Sequence, residues 1–162
     1  MWNGEIRPAT RADVADLGRL GALMVEMHNT LDPQRFIEGT PETARGYGGY
    51  LGSQLGERDV VILVAVDGGS VIGFAYCALE GIDYMSLRGP AGIVHDILVD
   101  PARRSGGVGR VLLDAAIAEL RRRGAPRIVL STAARNDGAR RFFARAGFRE
   151  TMIELTRELD DG

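Results

Sequence analysis

Arg103-Arg104-Ser105-Gly106-Gly107-Val108-Gly109 is a run of residue types suited to binding an anion. It follows an apolar segment, residues 92–99, and leads into a helical pattern over residues 108–123. A strand that ends in such a loop and then starts a helix presents backbone N–H groups with no intrahelical partner. The helix dipole favours negative charge there, and glycine lets a phosphate come close. On the strand that feeds the loop stand two groups able to move a proton, His95 and Asp96. Imidazole titrates near ~6.5 in peptides and accepts a proton at neutral pH, so His95 is the first candidate for a general base and Asp96 the second. A strand histidine hydrogen-bonded for structure is the competing reading. Strand alternation puts Ile93, His95, Ile97 and Val99 on one face and Val94, Asp96 and Leu98 on the other. His95 and Asp96 therefore address one cleft only if a bulge intervenes.

Other chemistries are disfavoured. A dinucleotide fingerprint fails, because Gly107-Val108-Gly109 lacks the third glycine and lies too late in the chain. All 20 basic residues are arginine, so no lysine is available for catalysis. One cysteine, Cys77, excludes an internal disulfide, and two histidines argue against a metal site. A net charge of −2 and a pI near 5.7 argue against general nucleic-acid binding. No apolar run reaches membrane-spanning length and the start has no signal-peptide pattern, which makes no membrane partner and a cytoplasmic location the expectation.

The elements that must hold these groups can be read in turn. Residues 5–7 form a short strand candidate. Thr10-Arg11-Ala12-Asp13 resembles a capping box and opens a helix to about residue 29. Thr40-Pro41-Glu42 starts a second helix, with Pro at its first position, that runs to about residue 55 despite Gly46, Gly48, Gly49 and Gly52. Residues 59–66 and 71–79 are strands joined by the hairpin turn Asp67-Gly68-Gly69-Ser70. A polar loop, residues 81–91, leads to the strand at residues 93–99. The helix after the anion loop ends at Gly124 and Pro126, and residues 127–131 form a strand parallel to the earlier one. Asn136 caps a last helix, and residues 148–159 supply the final strands. The order is β-α-α-β-β-β-α-β-α-β. That is a single α/β domain over residues 1–162, with a mixed, mostly antiparallel sheet and a central βαβ parallel pair flanked by helices.

With both motifs placed, the chain resembles the GNAT superfamily of acyl-CoA-dependent N-acyltransferases. That family's pyrophosphate loop reads Arg/Gln-x-x-Gly-x-Gly/Ala, matched by Arg104, Gly107 and Gly109. Ile97-Leu98-Val99-Asp100-Pro101 is similar to the family's entry into that loop. A second signature is matched in spacing by Asn136, Ala139, Phe142-Phe143 and Gly147-Phe148.

The resemblance implies direct transfer of an acetyl group from acetyl-CoA to a primary amine, with no metal. The small-molecule amine is the expected acceptor, ahead of a protein N-terminus or side chain. Backbone N–H groups from Ser105, Gly106, Gly107, Val108 and Gly109, with Arg103 or Arg104, would hold the pyrophosphate. The strand edge at Ile97, Leu98 and Val99 would pair with the pantetheine arm, and a backbone N–H near Leu98 would polarise the thioester carbonyl. His95 stands where many members carry Glu. Asn136 would contact the pantetheine arm, although it also suits an N-cap. Phe143 departs from the pattern: many members have Tyr there, whose hydroxyl protonates the departing thiolate. Glu26, His28, Glu80, Asp83 and Tyr84 would border the acceptor cleft. The resemblance also admits a homodimer. A non-catalytic acyl-CoA-binding module is the alternative, favoured by Phe143.

Overall fold

The computed structural model describes residues 1–104 and 106–160, so Ser105 lies outside the described residues. Its elements are β1 (Glu5–Pro8), α1 (Val14–Leu31), α2 (Thr43–Gln54), β2 (Val60–Asp67), β3 (Ser70–Glu80), β4 (Ala91–Val99), α3 (Val108–Arg122), β5 (Ile128–Leu130) and α4 (Asp137–Arg145). The strands lie side by side in chain order. The first four pair antiparallel, and β5 joins β4 in parallel after the α3 crossover. The architecture is the expected mixed α/β class.

Local chemistry sets the element boundaries. The β2–β3 turn places Gly68 at φ +57° and Gly69 at φ +80°, the two left-handed residues a tight hairpin needs. Before α1, the Asp13 carboxylate accepts from the Thr10 N–H at 2.8 Å and from both Arg7 guanidinium nitrogens, at 2.8 and 2.9 Å. This fixes β1 to the start of α1, with Asp13 only 4% exposed. Pro41 does not open α2. The helix begins at Thr43 because the Thr43 hydroxyl accepts from the Thr40 N–H (2.8 Å), a turn that occupies the preceding residues.

Each face of the sheet buries its own apolar set. Val61, Leu63, Ala75 and Val94 meet Val108, Leu112, Ala116 and Leu120 of α3. Ile62, Val64, Phe74 and Leu98 meet Leu17 and Leu20 of α1 and Leu51 of α2. The period-two pattern of β2 and β3 is thus satisfied on both sides, which is why both strands read as nearly continuous apolar runs. The glycines of α2 divide by role. A Cβ on Gly48 would lie 2.8 Å from the Val14 carbonyl oxygen, and one on Gly18 of α1 would lie 2.2 Å from that of Ala44. Gly46 and Gly49 face open space. The glycines that weaken α2 as a helix let it sit backbone to backbone on α1.

One expectation fails. Residues 149–160 belong to no strand, and all of them are exposed. A strand needs a neighbour to bond to, and among the described residues, residues 148–159 find none. The parallel pair β4–β5 consequently lies at the end of the sheet rather than inside it.

Candidate active site

The register between β3 and β4 shifts where the proton-moving groups sit. Tyr76 stands opposite Asp96 and Cys77 opposite Val94, which leaves His95 as the extra, unpaired residue of a bulge. The bulge overturns the simple alternation. Val94 and Ile97 both join the α3-side core, whereas Asp96 and Leu98 turn to the other face. The His95 ring stacks on Tyr76 at 5.1 Å between centroids, so His95 and Asp96 address the same side.

On that side a polar cluster assembles from three elements. Tyr47 of α2 donates to Asp96 Oδ2 at 2.6 Å, and the Tyr50 and Tyr76 hydroxyls lie 3.2 Å apart. His95 Nε2 is 3.5 Å from Glu80 Oε1, and Glu80 is also bound by Arg88 at 2.9 Å. Burial, with the Asp96 charge beside it, pushes the Tyr47 hydroxyl well above the ordinary tyrosine range, so it remains a donor. Burial and the Tyr50 hydrogen bond do the same for Tyr76. Asp96 is therefore occupied by a donor held firmly protonated. His95, with its side chain 36% exposed, remains within reach of solvent. Tyr47 and Tyr50 were missed in the sequence because they sit among the glycines of α2, where no motif marks them.

Beyond the bulge β4 has an open edge. The Asp100 N–H donates to the Ile72 carbonyl at 2.8 Å, so Asp100 and, by alternation, Leu98 direct their backbone groups at β3. Ile97 and Val99 direct theirs the opposite way, where β5 pairs only with Gly92, Ile93 and Val94. The Leu98 N–H is thus spent inside the sheet, and the open donors near it belong to Ile97 and Val99. The Val99 carbonyl accepts from Arg104 Nε at 3.1 Å, which folds Arg104 back along this edge. Arg103 reaches Asp67 instead, at 3.3 Å.

Asp100 anchors the start of the loop: it accepts from the Ala102 N–H (3.0 Å) and from Arg19 of α1 (3.0 Å). Gly106 (φ +62°) and Gly107 (φ +80°) then turn the chain in the left-handed region into α3. Gly107 is the N-cap, no side chain caps the helix, and its first bond runs from the Val111 N–H to the Gly107 carbonyl. The N–H groups of Val108, Gly109 and Arg110 are left to point along the helix axis. The Val108 side chain is core (2% exposed), so only its backbone can serve a ligand. This arrangement fits a pyrophosphate.

The second motif is mainly structural. Asn136 Oδ1 accepts from the Ala139 N–H at 3.0 Å and caps α4. Phe143 is 9% exposed and packs edge-on against Phe142 and Phe148. Of the residues expected at the acceptor cleft, Asp83 is consumed in its own turn with Met85 and Ser86, and Tyr84 is 75% exposed. His28 packs against Phe36.

The sequence profile of the acetyltransferase (GNAT) family matches residues 24–148. The chain belongs to this family. That span runs from within α1 through the anion loop to Phe148 and includes every group of the site described above except Arg19. An uncharacterized N-acetyltransferase of Methanocaldococcus jannaschii is 37% identical over 85 residues, 52% of this chain and 37% of that protein. A mycothiol acetyltransferase of Clavibacter michiganensis subsp. michiganensis is 48% identical over 67 residues, 40% of this chain and 19% of that protein. The chain spans less than two fifths of the length of either relative. A tetramutant of the BH1408 protein of Bacillus halodurans shares the fold, with a TM-score of 0.83 at 23% identity over 96% of this chain and 99% of that one. Among the described residues no helix is long and apolar enough to cross a membrane.

Proposed function

We propose that this GNAT chain is an acetyl-CoA-dependent N-acetyltransferase that passes the acetyl group directly to a primary amine of a small molecule. The observation that carries the reading is one continuous path. It runs from the exposed His95 on the β4 bulge, along the open edge at Ile97 and Val99, to the uncapped N-terminus of α3.

Acetyl-CoA supplies the acetyl group as a thioester, already activated toward an amine. The N–H groups of Val108, Gly109 and Arg110 hold the pyrophosphate, with Gly107, whose Cβ position meets nothing within 4 Å, keeping the approach clear, and Arg103 or Arg104 adds positive charge. Ile97 and Val99 offer their backbone edge to the pantetheine arm, and one of their N–H groups donates to the thioester oxygen. Such a donor typically contributes about 3 kcal/mol. Holding both reactants in place contributes roughly 7–11 kcal/mol more, so little further side-chain chemistry is needed. His95 takes the proton from the acceptor ammonium, which titrates near ~10 when free. Glu80 fixes the imidazole and stabilises the imidazolium that forms. Asp96, engaged by Tyr47, shapes the site rather than acting as base. No side chain is assigned to protonate the leaving thiolate: Phe143 cannot, a thiol pKa near ~8.5 lets the thiolate depart unprotonated, and the second amine proton, shed as the amide forms, passes to the departed thiolate or to water. Glu80 and Asp96 favour a cationic acceptor, and the relative named for mycothiol supports a small molecule over a protein.

Phe143 favours a second reading, a module that binds acyl-CoA without turnover. Thiol release from acetyl-CoA, measured with polyamines, amino acids, aminoglycosides and peptides, separates the two. Release with a small amine supports the enzyme. Calorimetric binding of coenzyme A with no turnover on any amine supports the module, and no binding refutes both. Burial pushes the Cys77 thiol up to about 12, which keeps the native protein silent in a thiol assay.

A further inference from the structure

Arg19 of α1 reaches across to the strands where the anion loop begins. One terminal guanidinium nitrogen donates to Asp100 Oδ2 at 3.0 Å, the other to the Val71 carbonyl at 2.9 Å, and Nε to Asp16 Oδ1 at 3.4 Å. All three nitrogens are engaged, so the side chain presents no open fork to a phosphate. Asp100 is the junction it holds. The Asp100 N–H donates to the Ile72 carbonyl at 2.8 Å, and the Asp100 carbonyl accepts from the Arg103 N–H at 2.8 Å. Its second carboxylate oxygen accepts from the Ala102 N–H at 3.0 Å, so the turn Pro101–Arg103 starts from a side chain that Arg19 fixes. The far end of the loop is held separately, by the Trp2 N–H donating to the Gly106 carbonyl at 3.3 Å. Arg19 lies outside residues 24–148, the span that the family profile matches, so family membership assigns it no role.

We propose that Arg19 is a positioning residue for coenzyme A, acting through Asp100 to set the pyrophosphate loop without touching the donor itself. The inference rests on the donor assignment made above. Its first part is geometric. A carboxylate bound at both oxygens keeps one orientation, and the charged partner makes that bond stronger than a neutral one. The Ala102 N–H, and the chain that follows it toward the open N-terminus of α3, is thereby ordered before the ligand arrives. Preorganisation of that kind raises affinity by removing an ordering cost from the binding step. The second part is electrostatic. Asp100 stands at the start of the loop, where its negative charge opposes an anionic ligand unless a cation lies on it. Arg19 is that cation, and the Asp100 side chain, only 18% exposed, is too covered for water to screen it fully. The contact joins α1 to the loop, whereas the bond from Arg19 to Asp16 stays within one turn of α1.

Calorimetry of coenzyme A on the full chain reads the effect. Arg19→Met should weaken binding by roughly fivefold to twentyfold, and Arg19→Lys, which keeps the charge but serves one partner at a time, by less. In an Asp100→Ala background, Arg19→Met should change affinity by less than about twofold, because the route to the loop is already cut. With acetyl-CoA as donor, KM should rise by a similar factor while kcat at saturation stays near wild type; general loosening of the fold would lower kcat too. In the ligand-free chain, the Ala102 and Arg103 amides should exchange severalfold faster in Arg19→Met, with the interior of α3 unchanged. Wild-type affinity in Arg19→Met would overturn the inference and leave the donor assignment standing. So would an equal loss in the Asp100→Ala background, or a fall in kcat with KM steady. Should Arg19→Met fail to fold, Arg19→Lys with wild-type affinity and wild-type exchange at Ala102 overturns it equally. A wild-type chain that binds no coenzyme A refutes the donor assignment and the inference with it.

Discussion

Gly18→Ala should destabilise the protein, and Gly49→Ala, on the neighbouring helix, should stabilise it. Both replacements improve helix propensity by about 0.8–1 kcal/mol. At Gly49 nothing lies within 4 Å of the new methyl, so that gain stands alone. At Gly18 the methyl would sit 2.2 Å from the Ala44 carbonyl oxygen, a rigid atom of α2. Ordinary carbon contacts begin near ~3.5 Å, so α2 must retreat by roughly an ångström. Overpacking of that kind costs typically 1–3 kcal/mol, and with rigid backbone on both sides the upper end applies. The net expectation is a loss of about 2 kcal/mol for Gly18→Ala and a gain of about 1 kcal/mol for Gly49→Ala. Gly48→Ala, at 2.8 Å from the Val14 oxygen, falls between them. At roughly 2–4 °C per kcal/mol for a chain of this size, thermal midpoints should move by about −6 and +3 °C. Urea titrations followed by far-UV circular dichroism give the free energies directly. A Gly18→Ala protein as stable as wild type would refute the close helix seam, and with it the placement of Tyr47 over Asp96.

The remaining predictions concern the base and the acid limb of stability. His95→Ala should cut turnover at neutral pH by roughly 10²–10⁴-fold, the usual scale of general base catalysis, and leave coenzyme A affinity nearly unchanged; unaltered turnover removes His95 from the mechanism. Glu80→Gln should lower kcat more mildly and change its pH profile, since Glu80 acts through the imidazole. Asp13→Asn should cost about 2 kcal/mol at pH 7, below the roughly 3–5 of a fully buried pair because Arg7 is a third exposed. The Arg7 hydrogen bonds hold the Asp13 carboxyl below its ordinary 3.8, so its contribution is complete above that value and fades as pH falls toward the folded value. Denaturant curves of the two proteins should therefore converge as pH falls through the folded value. A gap that persists there would mean that packing, not charge, sets the cost.

Elements read well wherever local chemistry decides them. The anion loop carries its own glycines and arginines, the Thr10–Asp13 signal is contained in four residues, and the hairpin turn is two. Asn136 caps α4 as an isolated sequence suggests. Elements that depend on a neighbour were harder. The glycines of α2 looked like a weakness, because their use as a contact surface exists only once Gly18 of α1 lies opposite. Residues 148–159 alternate as a strand should, yet alternation describes the segment's two faces and is silent about who pairs with its edges. The final strands expected over residues 148–159 are absent among the described residues.

His95 shows how a local rule can fail at the place that matters most. Strict alternation sends His95 and Asp96 to opposite sides, and along the rest of β4 the rule holds. One extra residue in the β3–β4 ladder resets the phase, carrying His95 toward Asp96 and leaving Ile97 and Val99 with their backbone groups on the open edge. Without the bulge, a base facing Tyr76 and an edge available at Ile97 would require opposite phases of one strand. A bulge costs a ladder bond and bends the strand, and no feature of the residues 93–99 taken alone demands it. On the function proposed above, the bulge reconciles two tasks: a proton acceptor on the α1–α2 side, and unpaired backbone donors beyond it on the way to the arginine-glycine loop.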